Sequence, residues 1–570
     1  MLVKPILGFK GYDLKNDILY PKFEKKIHDT EKIQYNYSES KRVPFRIEFY
    51  QPYKDPYECF NEGDIVYELF QDKNITCTKN DIVDPKFKVG FLDTIDNLKN
   101  FMERLVKVDQ FSDQMPLYNN SNWLYFVPRN YTKDHLFILI GNRACMEGQA
   151  AYAGPVWVDD NNERPTQGFI NICPSTFIND SPDNEYSLEM FRVLFHELVH
   201  IMGFIDVLFE SWLNRETGKR WGSAFPITQY IDKKFPNKTF SILHTPQSHA
   251  YASKRWNTKE FAPGIPMGIE IEDGGGPGTM GSHPDTKIAN SEVMSGIAST
   301  RMIISDLVLS LIEDMGWYSV DFSLAQPLKW GDYASIGMTP PPNVFREPPQ
   351  LVFPQHYFCN KGDNEVCSYD FKSRGYCFTQ SIDCPGTEDY QIMYCSEQGY
   401  YNPHNLNYTG SSFWDYMPIL VEERISNKNN NICFKAMSTN PNISKTLMKP
   451  VICNKEKTSY TVSIFGNSYL CDYDGREYNL TGEYTSFKCS PPRIICEGIE
   501  YDKRTFSQPI RVPFPNDKVD ENNSSTKDAK PSITKWIVIG VFVALIVSSL
   551  VFVLLKKGTN DESSNNFNQY

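Results

Sequence analysis

The chain has 570 residues and a mass of 65.7 kDa, more than one hydrophobic core normally accommodates, which predicts roughly two to four domains. Its formal net charge of −12 and its pI near 5.4 argue against a nucleic-acid partner, because such a partner requires a basic face. Hydrophobic residues at 41% and charged residues at 22% are typical of folded protein.

The N-terminal region, residues 1 to about 90, is polar and carries no recognisable chemistry. Apolar spacing and turn residues then predict the following elements. They are a helix at 94–108, strands at 124–131 and 136–141, a helix at about 187–202, a long irregular stretch to about 282, a helix at about 301–315, and a proline-rich domain boundary at 340–350.

The cysteines indicate an oxidising compartment. There are 14: Cys59, Cys77, Cys145, Cys173, and ten from Cys359 to Cys496. None has CxxC spacing, which argues against a cysteine-based zinc site. An even number at scattered spacings predicts up to seven disulfides, the alternative being free buried thiols in a cytosolic enzyme. Eleven N-x-S/T sequons, none after Asn523, agree with the first interpretation.

An uncharged run of twenty residues, Trp536–Leu555, predicts one transmembrane helix. A polar stalk at 515–535 precedes it and a tail at 556–570 follows it. Lysines flank the run on both sides, so counting positive charges leaves its orientation open. The N-terminus lacks the apolar segment of a secretory signal, which by itself would suggest a tail-anchored protein with a cytosolic body. Cysteines and sequons favour an extracellular body and a cytoplasmic tail.

The motif with the clearest chemistry is HELVH, in an apolar stretch of helical character. His196 and His200 are four residues apart, so both imidazoles leave the same helix face and can share one ion. Zinc accepts imidazole nitrogen and, with three protein ligands, leaves a position for water. Glu197 is placed to take the proton of that water and pass it to the leaving amine.

The third ligand is less obvious. In metzincin peptidases a glycine ends this helix and turns the chain back towards the metal, a role that suits Gly203. The short form of the motif would place histidine at position 206, where this chain has Asp206. Either the third ligand lies elsewhere, or Asp206 binds the metal, or the enzyme is of another class. The histidines farther along are His244, His249, His283, His356 and His404.

His283 stands in a Gly-Ser-His-Pro context, and Met294 follows it by 294 − 283 = 11 residues. A flexible methionine at this distance suits a turn beneath the metal. HELVHIMGF, a long insertion, GSH and a following EVM together resemble leishmanolysin, the surface metallopeptidase of trypanosomatids, and its homologues. Segments 145–178, 306–323, 328–331, 374–377 and 413–418 are also similar, so the resemblance covers roughly residues 91–500.

The resemblance implies one Zn²⁺ per chain held by His196, His200 and His283, Glu197 as catalytic base, Met294 in the Met-turn and Gly203 at the helix end. It implies an α+β, metzincin-like catalytic domain followed by a disulfide-rich domain. The expected organisation is a pro-segment-like region at 1–90, a catalytic domain at 91–345 with an insertion at about 204–282, and a cysteine-rich domain at 346–514.

Two departures from the family pattern stand out. The family's pro-segment cysteine has no counterpart, since Lys26 precedes Ile27-His28-Asp29, so latency through a thiolate is not expected. Met417 stands where relatives commonly have cysteine, so one disulfide is absent or re-paired. The expected function is a zinc endopeptidase that cuts proteins or peptides at the cell surface. The alternatives are a silent adhesin with the same fold, against which the intact Glu197 argues, and a tail-anchored cytosolic metallopeptidase.

Overall fold

The computed structural model describes most of residues 42–331 and part of the region beyond. The gaps before residue 331 are 52–54, 56, 69–72, 84, 110–113, 118–129, 146–148, 160, 178–183, 233–234, 275–278, 298–301 and 327. The later described residues are 357, 365–377, 412–414, 420–422, 431–438, 444–482 and 484–496. Among all of these, no helix combines the length and the apolar character that crossing a bilayer requires. The apolar run 536–555, the Lys26 segment and Met417 lie outside the described residues.

The elements have the following bounds. Strands up to residue 331 are β1 Arg42–Pro44, β2 Ile47–Tyr50, β3 Ile65–Glu68, β4 Lys73–Thr76, β5 Val106–Asp109, β6 Met115–Pro116, β7 Tyr131–Thr132, β8 Leu136–Gly141, β9 Ala151–Val158, β10 Pro165–Ile172, β11 Leu213–Asn214, β12 Lys219–Arg220, β13 Ile227–Asp232, β14 Phe235–Leu243, β15 Glu260–Ala262, β16 Ile265–Pro266, β17 Ile269–Ile271 and β18 Tyr318–Val320. Later strands are β19 Val366–Cys367, β20 Arg374–Cys377, β21 Leu420–Glu422, β22 Asn431–Ser438, β23 Ser444–Cys453, β24 Tyr460–Ile464, β25 Asn467–Cys471, β26 Glu477–Asn479 and β27 Tyr484–Lys488. The helices are α1 Pro85–Leu105, α2 Pro174–Phe177, α3 Asn184–Met202, α4 Pro246–Trp256, α5 Thr286–Ala289 and α6 Asp306–Asp314.

A four-stranded sheet of order β2-β8-β10-β9 supports the helix α3, and α1 packs against α3. The strands β2, β8 and β10 are parallel, and β9 pairs with β10 in the antiparallel direction at the sheet edge. Strand β10 is buried along its whole length, as expected for a strand covered on both faces. Helix α3 packs on β9 and β10, so the sheet is the platform for the HELVH motif. The expected mixed α+β architecture is confirmed.

Gly168 explains how closely the helix approaches the sheet. It lies in β10, and a Cβ atom at this position would be 2.4 Å from Ile201 Cγ2 and 3.1 Å from the Gly154 carbonyl oxygen. Both Ile201 and the neighbouring strand backbone therefore occupy the space of any larger side chain. A glycine in a strand interior commonly marks such a close approach.

The region before residue 90 contributes strands to two sheets of the fold. Strand β2 pairs with β8, and β1 pairs with β5 in a three-stranded sheet of order β1-β5-β18. Helix α1 crosses the boundary expected at residue 90, and its last predicted turn, 106–108, belongs to β5 instead. Residues 42–50 thus supply one strand to each of the two sheets. The predicted domain limits stay predictions.

The insertion at 204–282 contains regular structure where the sequence suggested an irregular stretch. Strands β13, β14 and β17 form an antiparallel sheet, and α4 begins with Pro246 at its first turn. The carboxylate of Asp314 accepts hydrogen bonds from the Gln247 and Ser248 N–H groups at 2.8 and 2.7 Å. An anion at a helix N-terminus is favourable, so the end of α6 fixes the start of α4.

The cysteine-rich part is built on β-structure. An antiparallel sheet of order β25-β24-β23-β22-β27-β26 encloses a core of its own, and β19, β20 and β21 form a smaller sheet. Five disulfides lie among the described residues. They are Cys59–Cys77, Cys145–Cys173, Cys367–Cys433, Cys453–Cys496 and Cys471–Cys489. The expectation that the cysteines pair is thus confirmed for these ten.

Candidate metal centre

Helix α3 ends in a turn that places both of its histidines. The Gly203 N–H donates to the His200 carbonyl at 3.1 Å and the Phe204 N–H to the Val199 carbonyl at 3.1 Å. This pair of bonds is a Schellman motif, whose C′ position favours glycine. Gly203 has φ +130°, and a Cβ atom there would lie 2.8 Å from the Trp317 ring. The expected helix-ending role of Gly203 therefore has a conformational and a steric reason.

Three main-chain carbonyls orient the three imidazoles. His196 Nδ1 lies 2.6 Å from the Val293 oxygen, His200 Nδ1 lies 2.8 Å from the Phe204 oxygen, and His283 Nδ1 lies 2.8 Å from the Thr279 oxygen. A carbonyl oxygen only accepts hydrogen bonds, so each Nδ1 carries the proton. Each Nε2 is therefore left with a lone pair. These carbonyls have no signature in the sequence, because any residue type supplies one.

The three Nε2 atoms converge. They lie 3.0 Å apart between His196 and His200, 3.1 Å between His200 and His283, and 3.3 Å between His283 and His196. Three unprotonated nitrogens cannot hydrogen-bond to one another, but one cation satisfies them all. Zinc–nitrogen bonds of about 2.0–2.1 Å in tetrahedral geometry separate the nitrogens by about 3.3 Å. The donor set and its spacing therefore fit zinc.

The electrostatic environment keeps these ligands neutral. Burial lowers the pKa of His196 to about 4 and, with the adjacent His196, the pKa of His283 to about 3. Burial, followed by its two imidazole neighbours, lowers the pKa of His200 well below its usual value. Near pH 7 all three rings are thus neutral, which is the form that binds a metal ion.

The structure separates the candidate third ligands. His283 joins His196 and His200, whereas Asp206 is not among the described side chains that converge there. The Asp206 N–H instead lies 3.4 Å from Ser282 Oγ, beside the third histidine. His244 Nε2 lies 2.8 Å from Thr228 Oγ1, and His249 Nδ1 lies 2.6 Å from the Met267 oxygen. His356 and His404 lie outside the described residues.

Glu197 and Met294 lie in the same buried region. Glu197 follows His196 on α3 and is completely buried. Met294 is also completely buried, in a turn closed by a 3.0 Å hydrogen bond from the Ser295 N–H to the Glu292 carbonyl. The Val293 carbonyl that orients His196 belongs to this turn. The segment predicted as a Met-turn therefore contacts a histidine of α3 directly.

Comparison with known proteins agrees with this geometry. The family model described as leishmanolysin (peptidase M8) matches residues 28–451. A leishmanolysin homolog of Crithidia fasciculata is 23% identical over 515 residues, which are 80% of this chain and 71% of the relative. A leishmanolysin-like peptidase of Drosophila pseudoobscura pseudoobscura is 24% identical over 431 residues, 65% of this chain and 59% of the relative.

A leishmanolysin of Leishmania donovani is 26% identical over 368 residues, 59% of this chain and 56% of the relative. The matched regions thus span less than two thirds of the Drosophila and Leishmania relatives. The family model extends over more than half of the chain, through both the catalytic sheet and the three converging histidines. The chain therefore belongs to the leishmanolysin family of metallopeptidases.

Proposed function

We propose that this protein is a zinc-dependent endopeptidase in which His196, His200 and His283 hold one Zn²⁺ and Glu197 is the catalytic base. The convergence of three neutral Nε2 atoms to within 3.0–3.3 Å of one another carries the proposal. Membership of a metallopeptidase family supports the same conclusion. Protein or peptide chains are the substrates that follow from it.

A zinc ion at this site supplies Lewis acidity, which lowers the pKa of water and polarises the scissile carbonyl. The protein's own contribution starts with Glu197, next to a ligand on the same helix and shielded from solvent. Its carboxylate accepts a proton from the attacking water and delivers it to the leaving amine nitrogen. Met294 and Gly203 serve indirectly: the Met294 turn supports His196 through Val293, and Gly203 allows the turn that supports His200.

The edge strand of the four-stranded sheet suits an extended substrate. Strand β9 is the outermost strand in the order β2-β8-β10-β9, and it packs against α3. Among the described residues no strand pairs with its other side. A peptide can add to such an edge through main-chain hydrogen bonds, whatever its side chains. Because pairing with an edge strand does not require a chain terminus, this arrangement favours endopeptidase over exopeptidase cleavage.

A cell-surface location, with the catalytic domain outside the cell, is part of the proposal. The uncharged run 536–555 has the length of a membrane span, and the disulfides suit an oxidising compartment. The sequon asparagines Asn74, Asn130 and Asn479 are exposed, as glycan attachment requires. Loss of Asn-linked glycans on glycosidase treatment, seen as a mobility shift, is the expected result; an unchanged mobility would favour a cytosolic body.

The decisive experiment for activity is casein cleavage by the chain secreted as residues 1–530, with Glu197→Ala beside it. We expect cleavage that a zinc chelator abolishes and that added zinc restores. Glu197→Ala should lower kcat by at least about 100-fold, since proton transfer by a positioned group contributes about 10²–10⁴-fold. Zinc content should stay at one per chain, because Glu197 is not a ligand in this assignment. Internal cleavage products distinguish an endopeptidase from an exopeptidase.

Asp206→Asn is the matched control, because Asp206 is the acidic residue at the position of the short motif's third ligand. It should retain both zinc and activity. A folded, zinc-loaded protein that cleaves nothing, even after its N-terminal segment is trimmed, would contradict the peptidase proposal and favour a binding protein. Loss of zinc from Asp206→Asn would contradict the ligand assignment.

A further inference from the structure

A buried carboxylate anchors the turn that contains Met294. The Met294 N–H donates to Glu292 Oε2 at 2.5 Å, and the Ser305 hydroxyl donates to Glu292 Oε1 at 3.0 Å. Glu292 is completely buried. Since Val293 lies between Glu292 and Met294 and its carbonyl orients His196 at 2.6 Å, the position of this carboxylate determines where one imidazole points.

A second buried carboxylate anchors the hairpin that contains His283. The Glu272 N–H donates to the His283 carbonyl at 2.9 Å, and the Gly281 N–H donates to the Glu272 carbonyl at 2.9 Å. The Glu272 side chain holds both sides of this loop: Oε1 accepts from the Gly274 N–H at 2.8 Å, and Oε2 accepts from the Thr286 N–H and hydroxyl at 3.0 and 2.8 Å.

One hydrogen bond joins the two anchored segments. The Ser295 hydroxyl, next to Met294, donates to Thr286 Oγ1 at 3.1 Å, and Thr286 Oγ1 donates to Glu272 Oε2. All of these groups are buried, so solvent does not compete for the bonds. The result is a continuous polar connection from Ser305 through Glu292, the Met294 turn, Ser295 and Thr286 to Glu272.

We propose that Glu292, Glu272 and Thr286 are positioning residues that set the spacing between His196 and His283 through this buried connection. The inference rests on the proposed zinc site. Glu292 acts through the Val293 carbonyl and Glu272 through the His283 loop; neither has an atom among the three that converge on the metal position. Groups that orient metal ligands commonly change metal affinity or activity by about 10- to 100-fold when they are replaced.

Carboxylates suit these two positions for a chemical reason. Each accepts at both of its oxygens from donors that point inward from separate segments. Each of the four carboxylate oxygens faces at least one main-chain N–H, which only donates. Glutamine has one accepting oxygen and a donating NH₂ group, so in either orientation it would place a donor against one of these N–H groups. Glu292→Gln and Glu272→Gln therefore preserve size but break one side of the connection.

The experiment compares zinc affinity of the metal-free protein and the visible spectrum of the cobalt-substituted protein in Glu292→Gln and wild type. We expect an affinity loss of about 10- to 100-fold, a shifted cobalt band, and a lower kcat with KM little changed. Thr286→Val should also weaken zinc binding and shift the cobalt band. Thr286→Ser, which keeps the hydroxyl, should retain the wild-type affinity and spectrum. If Glu292→Gln does not fold, the comparison of Thr286→Val with Thr286→Ser tests the positioning role.

Asp314→Asn is the control for a general loss of stability. Asp314 is buried and accepts four hydrogen bonds at the start of α4, outside the connection. The cobalt spectrum and the zinc affinity of Asp314→Asn should match those of wild type. Unchanged affinity and spectrum in Glu292→Gln, or equal changes in Asp314→Asn, would overturn the positioning role. If the proposed zinc site itself is wrong, the result is different: wild type will bind zinc no better than His283→Ala.

Discussion

The contact at Nδ1 sets which ring nitrogen of a histidine carries the proton. His196, His200 and His283 meet carbonyl oxygens there and present Nε2 lone pairs to a common point. His135 is also buried, and its ring stacks on Phe45. In contrast to the other three, its Nδ1 accepts a hydrogen bond, from the Arg46 N–H at 3.0 Å. It is therefore a structural acceptor that must stay unprotonated at Nδ1.

This contact makes stability depend on pH. Burial, then the charges of Arg164 and Arg46, lowers the pKa of His135 from 6.5 to about 3. The unfolded chain thus binds a proton that the folded chain does not, so stability present above pH 6.5 is lost as pH falls towards 3. Between pH 7 and pH 5 the expected loss from this residue is about 2 kcal/mol.

Urea unfolding of wild type and His135→Asn at pH 7 and pH 5 measures this contribution. Asparagine retains an acceptor near the Nδ1 position but does not titrate. The difference in unfolding free energy between the two proteins should therefore change with pH, in favour of the variant at pH 5. A difference that stays constant with pH would show that the pKa of His135 is the same in the folded and the unfolded chain.

At the scale of elements, the metal centre depends on how α3 lies on its sheet. The helix carries two of the three histidines, and Ile201, one residue after His200, fills the space beside Gly168 of β10. The helix pattern was readable in the sequence because its apolar residues recur at helical spacing. The close approach was not, since it depends on two residues 33 positions apart that only the fold brings together.

Gly168→Ala should therefore destabilise the fold and move α3. Its Cβ atom would meet Ile201 Cγ2 at 2.4 Å, and such overpacking costs about 1–3 kcal/mol. Gly90→Ala in α1 is the control, because nothing lies within 4 Å of its Cβ position. There alanine should stabilise the helix by up to about 1 kcal/mol. Opposite shifts in melting temperature are expected; a neutral Gly168→Ala would refute the close packing.

At the scale of the whole molecule, distant parts of the chain close the catalytic domain together. Strand β5 lies between β1, near the start of the described chain, and β18, which follows α6. Arg42 of β1 is buried at this junction. Its guanidinium donates to Ser319 Oγ at 2.6 Å and to the Gly316 carbonyl at 3.2 Å, and it pairs with Asp109 at 3.4 Å. Arg42 thus ties the first described strand to the segment that follows α6.

Arg42→Ala should lower the free energy of unfolding by about 3–5 kcal/mol, since it leaves a partly buried carboxylate and a hydroxyl without their partner. Arg46→Ala is the matched control four residues later, because the Arg46 side chain is half exposed and pairs with Asp134 at the surface. Its effect should be within about 1 kcal/mol. Denaturant unfolding of both variants tests this, and equal effects would contradict a structural role for the N-terminal strand.

Some elements were predictable because their signals are local. Strand 136–141 and the HELVH helix were found from apolar runs, whereas β13, β14 and α4 in the insertion were missed. Thr245-Pro246 before α4 is a usable start signal, with proline at the first turn. Between β13 and β14 the sequence reads Lys233-Lys234, without the glycine or asparagine that signals a tight hairpin turn.

The sequence by itself determined the chemistry: HExxH spacing fixes two imidazoles and a carboxylate on one helix, and the motifs around it identify the family. Residue types and their local spacing are sufficient for that, because helix geometry is known in advance. The residues alone left Asp206 and His283 as alternatives, and the family resemblance implied His283, which the tertiary structure places beside His196 and His200. Only the tertiary structure showed the carbonyls and the buried carboxylates behind the three imidazoles. Those contacts join residues up to 97 positions apart, and main-chain groups have no signature in a sequence.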